Sequence, residues 1–181
     1  MFALNENVVY PGHGVACINR IIDKRVSGNI IRFYELKFLN NEMTVLVPMN
    51  SFETVGLRPL SSSQNISEIL EMLSQSADYH EITAGNWNKR NKEYQCKIRT
   101  GNLHDICEIY RDLQVLSTHK ELSFGEKSLL LQAEMLLAEE ISIVTSVTED
   151  KAIERLRLLF KGFKTARVSI KSSTESEFAL Q

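Results

Sequence analysis

The residues of this 181-residue chain that could do chemistry gather between Asn86 and Arg99. Trp87, the single tryptophan, is followed by Lys89, Arg90, Lys92, Lys97 and Arg99. At about 100° per residue along a helix, Lys89, Arg90 and Lys97 fall on one side, with Lys92 and Arg99 stacked beside them. Trp87, Tyr94 and Ile98 take the opposite side. Cations flanking a large flat ring suit a nucleic-acid contact, the cations meeting phosphates and the ring wedging or stacking against a base. The same pattern also describes a solvated charged face with Trp87 buried beside Tyr94 and Ile98. Composition alone favours that plainer reading.

Three other groupings invite a chemical reading and carry less. Gly125-Glu126-Lys127-Ser128 has the tail of a phosphate-binding loop, but it lacks the earlier glycine and a preceding strand, so a helix start is the better account. His104 and Cys107 stand one helical turn apart without a second pair of ligands, which favours a core cysteine beside an exposed histidine. His13 sits in a Pro-Gly-His-Gly turn with neither a nucleophile nor an acid to work with. The expectation is no catalytic residue, no metal and no cofactor.

A net charge of −2 excludes a bulk polyanion binder, so any nucleic-acid contact must be local. Charge is unevenly spread: residues 64–86 carry Glu68, Glu71, Asp78 and Glu81 and no Lys or Arg, and the basic stretch follows at once. Cys17, Cys96 and Cys107 are too few and too scattered for a disulfide framework or a zinc ribbon, which points to reduced thiols. The start of the chain lacks a basic, then apolar, leader pattern. Glu134, Glu139 and Glu140 interrupt the best candidate for a membrane span. A soluble, cytoplasmic protein is expected.

The elements that would position these residues divide the chain into an α+β pair of domains. Residues 1–60 read as β: Val8-Val9-Tyr10, a turn at Pro11–Gly14, a strand over Val15–Val26, a hairpin turn at Ser27-Gly28-Asn29, a return over Ile30–Leu39 and a strand over Met43–Val47 ending at Pro48. Four or five strands with tight turns fit a small SH3- or Tudor-like β-barrel. Gly56–Ser63 breaks the pattern and reads as a link. Residues 64–163 read as an all-α domain of about five helices. One is capped by an Asn65/Glu68 box, a polar loop spans Ser76–Ala84, and the Trp87 helix ends at Thr100-Gly101. Asn102 caps the next helix, a Ser123–Glu126 box opens a long one, and a last helix lies near Asp150–Phe163. Residues 164–181 read as a frayed tail.

Val8-Val9-Tyr10-Pro11-Gly12-His13-Gly14-Val15, with Thr44-Val45-Leu46-Val47-Pro48 downstream, resembles the amino-terminal domain shared by CarD, CdnL and the transcription-repair coupling factor. Asn86-Trp87-Asn88-Lys89-Arg90, Ile109-Tyr110-Arg111-Asp112-Leu113 and Leu122-Ser123-Phe124-Gly125-Glu126-Lys127 resemble the helical half of CarD and CdnL. No helicase motor follows, so the coupling factor itself does not fit. The resemblance spans about residues 5 to 160. It implies a non-catalytic transcription regulator whose Tudor-like domain binds the RNA polymerase β subunit, through positions that here are Lys24, Arg25, Val45, Leu46 and Pro48. It implies promoter DNA as the second partner, with Trp87 inserted in the minor groove at the upstream edge of the bubble. Lys89, Arg90 and Lys92 would touch the backbone, with Lys97 and Arg99 further along the same helix. With the resemblance, the wedge becomes the favoured reading of Trp87. The alternative is a protein adaptor that never touches DNA. The chain departs from the pattern at Leu46, where some relatives carry the second of two polymerase-contacting arginines (Lys24 keeps charge at the first), and at Asn91, where an aromatic is common. A monomer is expected, with a strand-swapped dimer left open.

Overall fold

The computed structural model describes residues 1–75, 79–83 and 86–160. The first part is built of β1 (Asn7–Tyr10), β2 (Gly14–Val26), β3 (Asn29–Phe38), β4 (Thr44–Pro48) and β5 (Arg58–Pro59), with a one-turn helix, α1 (Phe52–Val55), ahead of β5. All neighbours are antiparallel, in the order β4-β3-β2-β1-β5, an open, barrel-like sheet. The turns form where the residue types allow. Ser27 and Gly28 both have positive φ (51° and 86°), as a tight two-residue hairpin requires. Gly12 and Gly14, at 74° and 99°, turn β1 into β2.

Strand alternation decides what faces inward. Ile18, Leu36 and Val45 share one face, as do Tyr34 and Val47, and these side chains form the sheet's core with Val8, Ala16, Phe38 and Leu57. A register shift between Ile18 and Arg20 marks a β-bulge, which bends β2 and leaves the β2–β3 hairpin projecting beyond the other strands.

The helices are α2 (Ser63–Ser74), α3 (Tyr79–Thr83), α4 (Trp87–Thr100), α5 (Leu103–His119), α6 (Phe124–Thr145) and α7, over 149–160. Among the described residues the helical part has six helices where about five were expected, because α3 occupies part of the stretch expected to be loop. The rest of that stretch (76–78 and 84), the end of the last helix (161–163) and the tail (164–181) lie outside the described residues. Caps follow the sequence with one correction. Ser62, not Asn65, caps α2, its hydroxyl accepting from the Asn65 N–H. Asn102 caps α5, Ser123 and Glu126 make a reciprocal box at α6, and Gly101 ends α4 in the left-handed region.

The helical core is organised on α5, whose Cys107, Ile109, Tyr110, Leu113 and Leu116 are fully enclosed, with Leu137 and Ile141 of α6 and Leu156 of α7 against them. The stretch read as a link is part of the structure: Arg58-Pro59 pairs with Val8-Val9 as β5, and Arg58 reaches across to α6. No helix among the described residues is long and apolar enough to cross a membrane.

Candidate functional site

Trp87 is the first residue of α4, held there because the Asn86 side chain accepts the Lys89 N–H at 2.9 Å and stops the chain from winding further back. Its ring is half-buried and packs on the rim of the helical core. One edge lies on the bare backbone of Gly125 in α6, where an added Cβ would stand 3.1 Å from Cζ2. The Arg90 guanidinium covers a face of the indole, 5.5 Å from the ring centroid. The ring is therefore seated, with part of its surface open to solvent. It is neither freely projecting nor enclosed.

The five cations separate into two sets. Arg90 and Lys97 lie on the flank of α4 that turns toward its neighbours. The Arg90 side chain is only 11 % exposed and donates to Glu126 at 3.3 Å and to the Ile82 carbonyl at 3.1 Å. Lys97 donates to Glu108 of α5 at 2.5 Å. Lys89, Lys92 and Arg99 are exposed. Lys89 stands 4.0 Å from Glu93, too far for a firm pair, and Lys92 and Arg99 have no acidic partner among the described residues. The single basic side drawn from the helical wheel is thus a solvent-facing ridge of Lys89, Lys92 and Arg99, plus two cations committed within the fold. The wheel marks direction but not what the neighbouring helix offers.

Glu126 is the hub behind this surface. Fully buried, it accepts from Lys120 (2.8 Å), Arg90 and the Ser123 N–H (2.8 Å). Against the cost of burial, the bonds from Lys120 and Ser123 bring its carboxyl down to about 2. The glycine-led motif at 125–128 thus contributes to a helix start and to the seat of Trp87. Cys107 is buried at the centre of the core, its thiol pushed up to about 12 by burial. His104, Asp105 and Glu108 approach one another within 4.8 Å, but Glu108 is already engaged by Lys97. The His13 ring packs edge-on against Tyr10 and Phe38.

On the sheet, pairing settles which candidate residues share a face. Leu46 pairs with Glu35, Pro48 with Phe33, and Lys24 with Ile31, all on the side away from the core. Ile22 lies between them, opposite Phe33. The outward face is thus a half-buried apolar strip of Ile22, Ile31, Phe33, Leu46 and Pro48, with Lys24 at its distal end and the Arg20–Glu35 pair at 2.8 Å on its near side. Val45 turns inward against the core, and Arg25 points to the opposite side of the hairpin from Lys24. Ile22 and Phe33 were not singled out from the sequence. The period-two alternation could have found them, had the bulge that resets it been visible.

Sequence reasoning also missed the seam between sheet and helices. Glu139 and Glu140, which read only as interruptions of an apolar run, are buried. The Val15 N–H donates to Glu139 Oε2 at 3.1 Å, and any side chain at Gly14 would collide with that carboxylate. Glu140 takes Arg58 and the Ser61 N–H. Pro11 packs on Gly101 and Gly12 near Ile98, so the β1–β2 turn rests on the end of α4.

The class is a two-part protein, an antiparallel, barrel-like sheet joined to a helical bundle that displays a tryptophan beside a basic ridge. The family model described as the CarD-like/TRCF RID domain matches residues 2–61, and that of the CarD C-terminal domain matches residues 68–157. The chain belongs to the CarD family of transcription factors, and its amino-terminal part is of the type that interacts with RNA polymerase. YdeB of Bacillus subtilis (strain 168), whose name proposes a transcription factor, is 27 % identical over 149 residues, covering 82 % of this chain and 95 % of that one.

Proposed function

We propose that this protein is a non-catalytic regulator that binds the RNA polymerase β subunit through its sheet and stabilises the promoter open complex through α4. The observation that carries the reading is the placement of Trp87: a half-buried, seated ring at the start of a helix whose solvent side bears Lys89, Lys92 and Arg99. A ring held on two sides loses little freedom on binding, and a minor-groove contact at the upstream bubble edge meets bases that are already unstacked. On the sheet, Leu46, Pro48, Phe33 and Ile22 offer an apolar face, and β4 is an edge strand with open backbone groups to which a partner strand could add. Val45 would then contribute backbone rather than side chain. Lys24 and Arg25 would act from the projecting hairpin.

Specificity in this scheme comes from polymerase, since the minor groove displays a degenerate pattern. Tethering raises the local DNA concentration, so a weak intrinsic affinity suffices. The equilibrium moves only by the difference in affinity for open over closed DNA, and about 1.4 kcal/mol of difference gives tenfold more open complex. Trp87→Ala should shorten open-complex lifetime on a weak promoter and leave polymerase retention intact. An unchanged lifetime would refute the scheme.

A second reading, an adaptor that binds protein at both ends, draws on the two committed cations: Arg90 with Glu126, and Lys97 with Glu108. Indole fluorescence separates the two readings. Under the adaptor reading, emission ignores forked DNA in the presence of polymerase.

A further inference from the structure

Phe124 is 90 % exposed, the most exposed large apolar side chain of the helical part among the described residues. The residues around it are tightly placed. Leu122 is buried, Ser123 caps the helix, Gly125 supports the Trp87 indole and Glu126 is the buried hub. The fold therefore holds the backbone at 124 firmly and leaves the ring in water. Phe124 opens α6 one residue before the glycine on which Trp87 rests, so the two aromatic residues occupy adjoining starts of two long helices.

The surroundings specify the partner. Asn86 and Ser123 each cap one backbone N–H, those of Lys89 and Glu126. The remaining first-turn N–H groups of α4 and α6 have no acceptor within their own helices, and both helix ends carry partial positive charge. Lys89 in the first turn of α4, and Lys120 and Lys127 within four residues of Phe124 in sequence, have side chains 76 %, 42 % and 56 % exposed. Lys120 is committed to the buried Glu126, Lys127 pairs with the exposed Glu121, and Lys89 is the cation of the three with no firm partner. A bare ring at the start of one helix, next to the start of a second that carries the exposed Lys89, is poorly matched to an apolar protein pocket. It suits a polyanion that also offers flat apolar faces.

We propose that Phe124 is a second nucleic-acid-contacting ring, stacking on an unpaired base next to the one met by Trp87, with Lys89 and the neighbouring backbone N–H groups facing the adjoining phosphates. The inference rests on the reading of α4 as the DNA-facing helix. It adds a preference: a paired duplex hides base faces, so the Phe124 contact forms only on unpaired DNA, and its loss affects open complexes and leaves closed ones alone.

The test uses the full chain, its RNA polymerase holoenzyme and a promoter carrying 2-aminopurine at the upstream bubble edge. Phe124→Ala should leave the thermal midpoint and polymerase retention unchanged, because the ring packs on nothing. It should shorten open-complex lifetime about fivefold or more and relieve part of the 2-aminopurine quenching, with Phe124→Tyr restoring both. If Trp87→Ala shortens the lifetime and Phe124→Ala matches the parent protein, the second ring is refuted and the function stands. If neither variant changes it, both fall together. Loss of polymerase retention in Phe124→Ala would also overturn the inference, by making the ring a protein contact.

Discussion

Arg58 and Glu140 meet as a fork, Nη1 to Oε1 and Nη2 to Oε2, both at 2.7 Å across 82 residues of chain. The same guanidinium donates through Nε to the Gly101 carbonyl at 2.8 Å, and the Ser61 N–H donates to Glu140 at 2.8 Å. One side chain on β5 thereby ties the sheet to the end of α4 and to α6. Arg58→Ala leaves Glu140, whose side chain is 3 % exposed, without its charge partner, at a cost of about 3 kcal/mol. Calorimetry should show a lower midpoint and the single transition splitting into two as sheet and helices unfold separately. Replacing both residues, Arg58→Met with Glu140→Leu, should cost far less, because no charge is stranded.

The neighbouring carboxyl predicts an unusual pH dependence. Burial, together with the charges of Glu149 and Glu140, raises Glu139 to about 7 despite the bond from the Val15 N–H, and its Oε1 has no partner among the described residues. The folded state therefore binds a proton that the unfolded state releases at ordinary carboxylate pH. Its stabilising effect is full below about 4.5 and is lost as pH rises through about 7. Glu126, lowered to about 2, acts oppositely: its contribution is present above about 4.5 and is lost as pH falls through 2. Denaturant midpoints from pH 4.5 to 8 should fall with rising pH, and Glu139→Gln should flatten that limb while leaving the acid limb in place.

The exposed ridge and the committed cations should differ in salt dependence. Lys89→Ala, Lys92→Ala and Arg99→Ala should each lower the slope of log affinity against log salt by about 0.9 on forked DNA with polymerase present. Lys97→Ala should barely move it, since Lys97 is already engaged with Glu108. Equal effects at all four positions would mean that the ion pair opens on binding.

Much of this architecture was legible in the sequence because it rests on local chemistry. The Ser27-Gly28 hairpin, the Ser123–Glu126 box and the Gly101 stop each use a residue type that few other conformations favour. What escaped was settled between distant elements. Nothing near Glu139 or Glu140 announces that Val15 and Arg58 will supply the donors that make burial tolerable. Ser62 took the cap from Asn65 because the helix begins earlier than its apolar pattern does. Nothing near Arg90 in sequence shows that α6 will bring Glu126 within 3.3 Å of it.

Gly125 offers the sharpest separation of stability from function. It is the second residue of α6, in the first turn, where alanine is favoured over glycine by less than the roughly 1 kcal/mol of a helix interior. An alanine Cβ there would stand 3.1 Å from Trp87 Cζ2, so the indole must shift by a few tenths of an ångström on its seat beside Arg90. Gly125→Ala should therefore change the thermal midpoint little, alter indole emission as the ring shifts on its seat, and weaken binding to forked DNA in the polymerase complex. Unchanged emission and unchanged DNA binding would show that the bare backbone at 125 does not hold the ring in place.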